Sequence, residues 1–148
     1  MVEAFVTREN VDTLILDAGF SGAIDVLSID LDGNDYWIWE AISVVSPSIV
    51  VIETHTEHRE RHVLAPYDPS YDWRKAPPGA PVGASPAAGV EIAERLGYRL
   101  VGGIRYGYNA FFLREGVADE LVPTVPMIEL LRHPWTHDPG TWTGRPPA

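Results

Sequence analysis

The stretch Val26 to Trp39, VLSIDLDGNDYWIW, decides how this chain is read. A short apolar, β-branched run ends abruptly in acids and an Asn spaced around a Gly. That is how a buried parallel strand delivers polar groups to the mouth of a sheet, because ligands of open α/β sheets bind outside the carboxyl ends of the strands. Asp30, Asp32, Asn34 and Asp35 therefore stand where chemistry is expected. About twenty residues later, a typical βα spacing, SIVVIETHTEH (Ser48 to His58) repeats the design, with Glu53 and His55 following the apolar run.

Working outward, Thr7 is placed to cap a helix from Arg8 to about Ala18, with Val11, Leu14, Ile15 and Ala18 on one face and Gly19 ending it. A strand follows at Ile24 to Ile29. Tyr36 to about Val45 reads as helix because Ile38, Ala41, Ile42 and Val45 share a stripe, and Pro47 forces the exit. The near-continuous Ile and Val of Ser48 to Glu53 predicts a strand buried on both faces, completing a right-handed βαβ unit. From Arg59 to Ser85 the pattern dissolves into Pro, Gly, Tyr and Asp, a loop long enough to be either functional or disordered. Ser85-Pro86 opens another helix, with Val90, Ala93 and Leu96 on one face and Gly97 at its end. Tyr98 to Ile104 and Asn109 to Arg114 form an antiparallel hairpin around Tyr106-Gly107. The chain thus divides into an α/β domain over residues 1–115 and a Pro- and Trp-rich tail over 116–148, in which Val125 to Arg132 adds a helical turn or two.

Composition narrows the function. The chain has 148 residues, 45% of them hydrophobic, enough for one domain with a genuine core. A formal charge of −10 with only 11 basic residues argues against binding a phosphate backbone, so no nucleic acid is expected as partner. The absence of Cys excludes a disulfide framework and a thiolate zinc site and fits a reducing compartment. No stretch is long and apolar enough to cross a bilayer, and MVEAFVTREN lacks the basic start and apolar run of a signal peptide. The expectation is a cytoplasmic protein without a membrane partner.

The blocks VTRENVDTL, DVLSIDLDGNDYWIW, SIVVIETH, GASPAAGVEIAERLGYRLVG and YNAFFLR together resemble the C-terminal half of FkbM-like methyltransferases, over residues 2–115. In that family the acidic turn is commonly IDVEG-x-E; here it is IDLDGND, with Asp32 and Asp35 in the acidic places. The resemblance implies a Rossmann-like class I methyltransferase sheet, lacking its first two strands and ending in an antiparallel β-hairpin. It implies S-adenosyl-L-methionine as cofactor, bordered by Thr7, Asp30 and Leu31, and O-methyl transfer to a small-molecule or sugar hydroxyl. The departure is that such enzymes hold the cofactor with a Gly-rich turn after their first strand and an acid after the second, and neither is evident. LILDAGFSG (Leu14 to Gly22) is too close to the next strand to be that turn, since parallel strands need a crossover of about ten or more residues. It reads as a helix end. An alternative is therefore a non-catalytic module that associates with another chain, a complementing polypeptide or a second copy.

The polar residues have a bland reading as well. Asp, Asn and Gly make turns and cap helices, which accounts for Asp30, Asp32 and Asn34 without any ligand. A calcium loop of the EF-hand type fails because Asp35 and Ala41 occupy the places needing Gly and a bidentate acid. The functional reading gives Asp30 and Asp32 to a Mg²⁺ ion or an acceptor hydroxyl, with Glu53 sharing the task. His55 is the general-base candidate, its ordinary pKa lying near neutrality. His55, His58 and His62 match no zinc motif. Tyr67, Tyr71 and Trp73 would form a lid over an acceptor also touched by Asn34 and Asn109. A metal-dependent hydrolase built on Asp30, Asp32, Glu53 and His55 is the remaining alternative.

Overall fold

The computed structural model describes residues 3–77 and 80–132. Its first strand, β1 (Gly22–Ile29), pairs in parallel with β2 (Val45–Glu53), and the short helix α2 (Asp35–Ala41) makes the crossover. Helix α3 (Pro86–Arg95) leads into β3 (Tyr98–Gly103), and β4 (Asn109–Arg114) turns back to insert between β2 and β3, antiparallel to both. The described residues form one mixed four-stranded sheet of order β1-β2-β4-β3, preceded by helix α1 (Val11–Asp17). The architecture is α/β with an open sheet, compatible with a Rossmann-like fold. No helix among the described residues is long and apolar enough to cross a membrane.

The core lies where α2 and α3 cover the sheet. Phe112 of β4 and Val50 and Ile52 of β2 meet Ile92, Ala88 and Ala93 of α3. Trp39 packs against Tyr98 and Phe112 with ring centroids 5.5 and 5.4 Å apart, a tilted geometry that aromatic quadrupoles favour. Helix α3 is the best-specified element. Ser85 caps it, its Oγ accepting from the Ala88 N–H at 3.3 Å and from the Val63 N–H at 3.0 Å. Because Ser85 is fully buried and holds both helix and loop, Ser85→Ala should cost about 1–2 kcal/mol in urea unfolding. A loss below about 0.3 kcal/mol would show the cap to be redundant.

Several expectations are corrected by the structure. Helix α1 starts at Val11, not Arg8, and its N-cap is Asn10, whose Oδ1 accepts from the Thr7 N–H at 2.8 Å, the reverse of a Thr7 cap. Its end is as expected: Gly19, at φ +88°, donates to the Leu16 carbonyl and Phe20 to Ile15. Helix α2 stops at Ala41, and Val45 is already strand. Pro47 does not end the helix but lies inside β2, tolerated because β4 pairs only from Ile49 onward, leaving the missing N–H without consequence. Its carbonyl accepts from the Tyr98 hydroxyl at 2.8 Å.

Burial also departs from expectation. β2 has no exposed residue: Val45, Pro47, Val50 and Ile52 are buried and the others half-buried, with the buried positions changing parity between Pro47 and Val50. β1 is the edge of the sheet and is buried only at its carboxyl end: Ile29 is 4% exposed while Val26 is 53% exposed. Beyond Glu115 the chain continues to pack on the sheet. The Val125 N–H bonds the Leu100 carbonyl, and Leu130 and Leu131, in a 3₁₀ turn over Met127–Leu131, are buried. Residues 133–148, the rest of the expected tail, lie outside the described residues.

Candidate functional site

The carboxyl ends of β1 and β2 lie side by side, since Ile29 pairs with Ile52. The next residue on each strand is acidic, so parallel pairing alone brings Asp30 and Glu53 together. Asp32 joins them through the turn. Gly33, at φ +147°, and Asp32, at φ +54°, fold the chain back on itself, and Asp tolerates the left-handed conformation better than most residues. Asp35 holds that turn closed from within. Its carboxylate accepts from the Leu31 N–H at 2.9 Å and the Gly33 N–H at 3.0 Å. One carboxylate oxygen from each of Asp30, Asp32 and Glu53 lies within 4.8 Å of the other two.

Burial first, then the charges of Asp35, Asp30 and Asp32, push the Glu53 carboxyl up to about 7, against the opposing charge of His55. Asp35 is raised by burial too, an effect its two backbone bonds offset only in part. Glu53 Oε2 is buried without a hydrogen-bond partner, as is the Tyr71 hydroxyl. The tyrosine's phenol is raised by burial and by the charges of Asp32 and Glu53, so it stays a donor facing acids. A cation or a polyhydroxyl ligand is what such a set of acceptors and one donor can satisfy.

The loop above is tied at its neck: Leu64 bridges Ala84, and Ala65 donates to the Gly83 carbonyl at 2.8 Å. Asn34, nearly buried, donates from Nδ2 to the Asp68 carbonyl at 2.8 Å, and the Trp37 indole donates to Ala65 O at 2.9 Å. The Tyr71 ring rests on Gly33, where a Cβ would overlap it. Between this loop and the segment Ala4–Val6 opens a cleft of about 530 Å³ whose lining includes Phe5, Leu31, Asp32, Asn34, Tyr71 and Trp73.

The expected site residues fall into distinct places. Asp30, Asp32 and Glu53 converge; Leu31, Asn34, Tyr71 and Trp73 line the adjoining cleft, with Asn34 engaged as a loop tether. Asn109 is the register partner of Glu53 on β4. His55 does not join the carboxylate group. Its Nδ1 bonds Glu57 at 2.9 Å, its ring packs against Gly83, and Nε2 is buried without a partner. Burial lowers its pKa, but the bond to Glu57 and the charges of Glu57 and Glu53 outweigh this and raise it. Thr7 and Tyr67 stand apart from the cleft lining: the Tyr67 hydroxyl accepts from the Arg8 N–H and donates to Glu9 at 2.8 Å, and Thr7 meets the same pair. Tyr67 thus fastens the loop to the start of α1 rather than facing a ligand.

Two participants escaped the sequence reading. The Ala4–Val6 segment forms one wall of the cleft, and no periodicity marks it. Gly83 makes room for the His55 ring, and a lone Gly in a Pro- and Gly-rich loop carries no signal of that contact. No family model, no curated protein and no solved structure matches this chain.

Proposed function

We propose that this chain binds a divalent cation at Asp30, Asp32 and Glu53 and activates the hydroxyl of a small molecule or sugar held in the adjoining cleft, in the manner of the acceptor side of an FkbM-like methyltransferase. The observation that carries the reading is the convergence of three carboxylates at the ends of two neighbouring parallel strands, one of which, Asp32, also lines the cleft with Tyr71 and Trp73. The parallel pair continued by an antiparallel hairpin supports the family reading, being the sheet ending that the sequence resemblance implies.

The carboxylates and the orphaned Glu53 Oε2 suit a hard cation such as Mg²⁺, which takes oxygen ligands and keeps several waters. When bound, the cation supplies positive charge that makes a coordinated hydroxyl more acidic. Tyr71 donates to the acceptor oxygen, and the cleft excludes water around it. S-adenosylmethionine does not fit the described residues. None of their strands runs into a Gly-rich turn at a helix N-terminus, and the glycines after α1 end a helix instead. The donor is accordingly assigned to none of the described residues.

Calorimetric titration of the folded chain with Mn²⁺ and Mg²⁺ tests the reading. One saturable site is expected, weakened about 10- to 100-fold in Asp32→Asn with the fold retained by circular dichroism. S-adenosylhomocysteine should not bind the chain alone. A folded sample with no saturable cation binding, or with binding unchanged in Asp32→Asn, rules the reading out.

A further inference from the structure

The two edges of the sheet are treated differently. Along β3 the chain protects itself: the register slips between Leu100 and Gly102, the Val125 N–H bonds the Leu100 carbonyl, and the Arg99 guanidinium holds the Val117 and Val122 carbonyls at 3.0 and 2.7 Å. These are the usual defences of an edge, a bulge and a covering segment. Among the described residues β1 has neither. Its eight residues contain no Pro and no Lys, their one charge being the exposed Asp25, its register with β2 is regular, and among the described residues it is paired on one side only.

That open strand is mostly apolar on both faces, with Ile24, Val26 and the polar Ser28 on one and Ala23, Leu27, Ile29 and the exposed Asp25 on the other. Such composition belongs to strands covered on both sides. Here Ala23 and Val26 are exposed, as are Leu16 near the end of α1 and Phe20 in the turn after it, at 49% and 57%. Exposed apolar side chains on β1 therefore accompany unpaired backbone donors and acceptors, the combination that strand addition uses.

Charge identifies the occupant. From Glu9 to His58 the sequence holds ten acids and no Lys or Arg. Asp17, Asp25 and Asp30, at the two ends and middle of the edge region, are all exposed. A second copy would bring the same acids against themselves, at −10 per chain. We propose that the β1 edge receives a β-strand of another polypeptide, apolar at alternate positions and flanked by Lys or Arg. This goes beyond the cation reading and stands or falls separately from it.

The test uses the full chain and two capped synthetic peptides, Lys-Lys-Val-Thr-Ile-Thr-Val-Lys-Lys and the same core with Glu in place of Lys. Amide hydrogen exchange over Gly22–Ile29 should slow about tenfold or more with the Lys-flanked peptide and not with the Glu-flanked one. The exposed substitution Asp25→Lys should weaken the response to the first and strengthen that to the second. The proposal is overturned by unchanged β1 exchange at millimolar peptide, by equal responses to both peptides, or by sedimentation showing a dimer that Val26→Lys dissociates, which would make a second copy the occupant. Cation titration on the same sample separates the two readings, since a chain that binds Mn²⁺ and neither peptide loses only the edge proposal.

Discussion

Asp35→Ala is expected to lower unfolding stability by about 3 kcal/mol or more and to abolish cation binding in whatever fraction remains folded. Asp35 is 2% exposed, and its carboxylate is the acceptor for two backbone N–H groups, those of Leu31 and Gly33. Truncation strips the buried Gly33 donor and the part-buried Leu31 donor of their partner. Each orphaned buried donor costs about 1–3 kcal/mol, before the lost packing is counted. Asp35→Asn should recover roughly half of the loss, because an amide keeps one acceptor oxygen but turns two donors toward a site built for acceptors. Burial raises the pKa of the Asp35 carboxyl, an effect its bonds to the Leu31 and Gly33 N–H groups offset in part. Urea denaturation followed by both fluorescence and circular dichroism measures it. If Asp35→Ala unfolded within about 0.5 kcal/mol of the parent, the turn would be held by something other than this carboxyl.

That example shows what was legible in the sequence. The pattern of an apolar run breaking into Asp, Gly and Asn located the carboxyl end of β1 correctly, because a strand that stops at a sheet mouth must satisfy its backbone with short polar side chains. Roles within the turn were not legible. Asp32 and Asp35 are chemically identical in the sequence, and only the register of the turn puts one outward beside Asp30 and the other inward on Leu31 and Gly33. Nor does an apolar run distinguish a central strand from an edge. Ile24 to Ile29 reads as buried whichever neighbours it has, and its exposure is a property of the assembled sheet. The Pro47 error has the same root: proline excludes a helix interior everywhere, but whether a strand tolerates it depends on how far the neighbouring strand extends.

The long loop is the opposite case. Its sequence predicted function or disorder, and its neck is in fact closed by backbone pairing at Leu64 and Ala84, Ser85 serving loop and helix together. Of its aromatics, Tyr67 is consumed in anchoring, its ring 6.5 Å from Trp37 and 5.4 Å from the Arg8 guanidinium, while Tyr71 and Trp73 reach the cleft. Which of three similar residues anchors and which faces a ligand follows from where α1 and Gly33 lie, information that no local pattern carries.

Cation affinity is expected to fall about tenfold for each pH unit below 7, and so about 100-fold between pH 7 and pH 5, with one proton released per ion bound in that range. The folded Glu53 carboxyl titrates at about 7 against an ordinary 4.5. The sign follows from linkage. Between these values the folded chain holds a proton that the unfolded chain releases, so the stability contribution is complete below about 4.5 and is lost as pH rises through 7. Without cation, then, stability should decline across this window, and Glu53→Gln should flatten the decline by keeping the site neutral throughout. With saturating Mg²⁺ or Mn²⁺ the slope should reverse, since the ion binds the ionised carboxylate and favours the state that the bare site resists. Thermal melts at pH 5, 6, 7 and 8, with and without cation, read both effects. A pH-independent affinity would remove Glu53 from the ligand set, and a bare-chain stability that rose from pH 5 to 7 would mean that burial does not hold its proton.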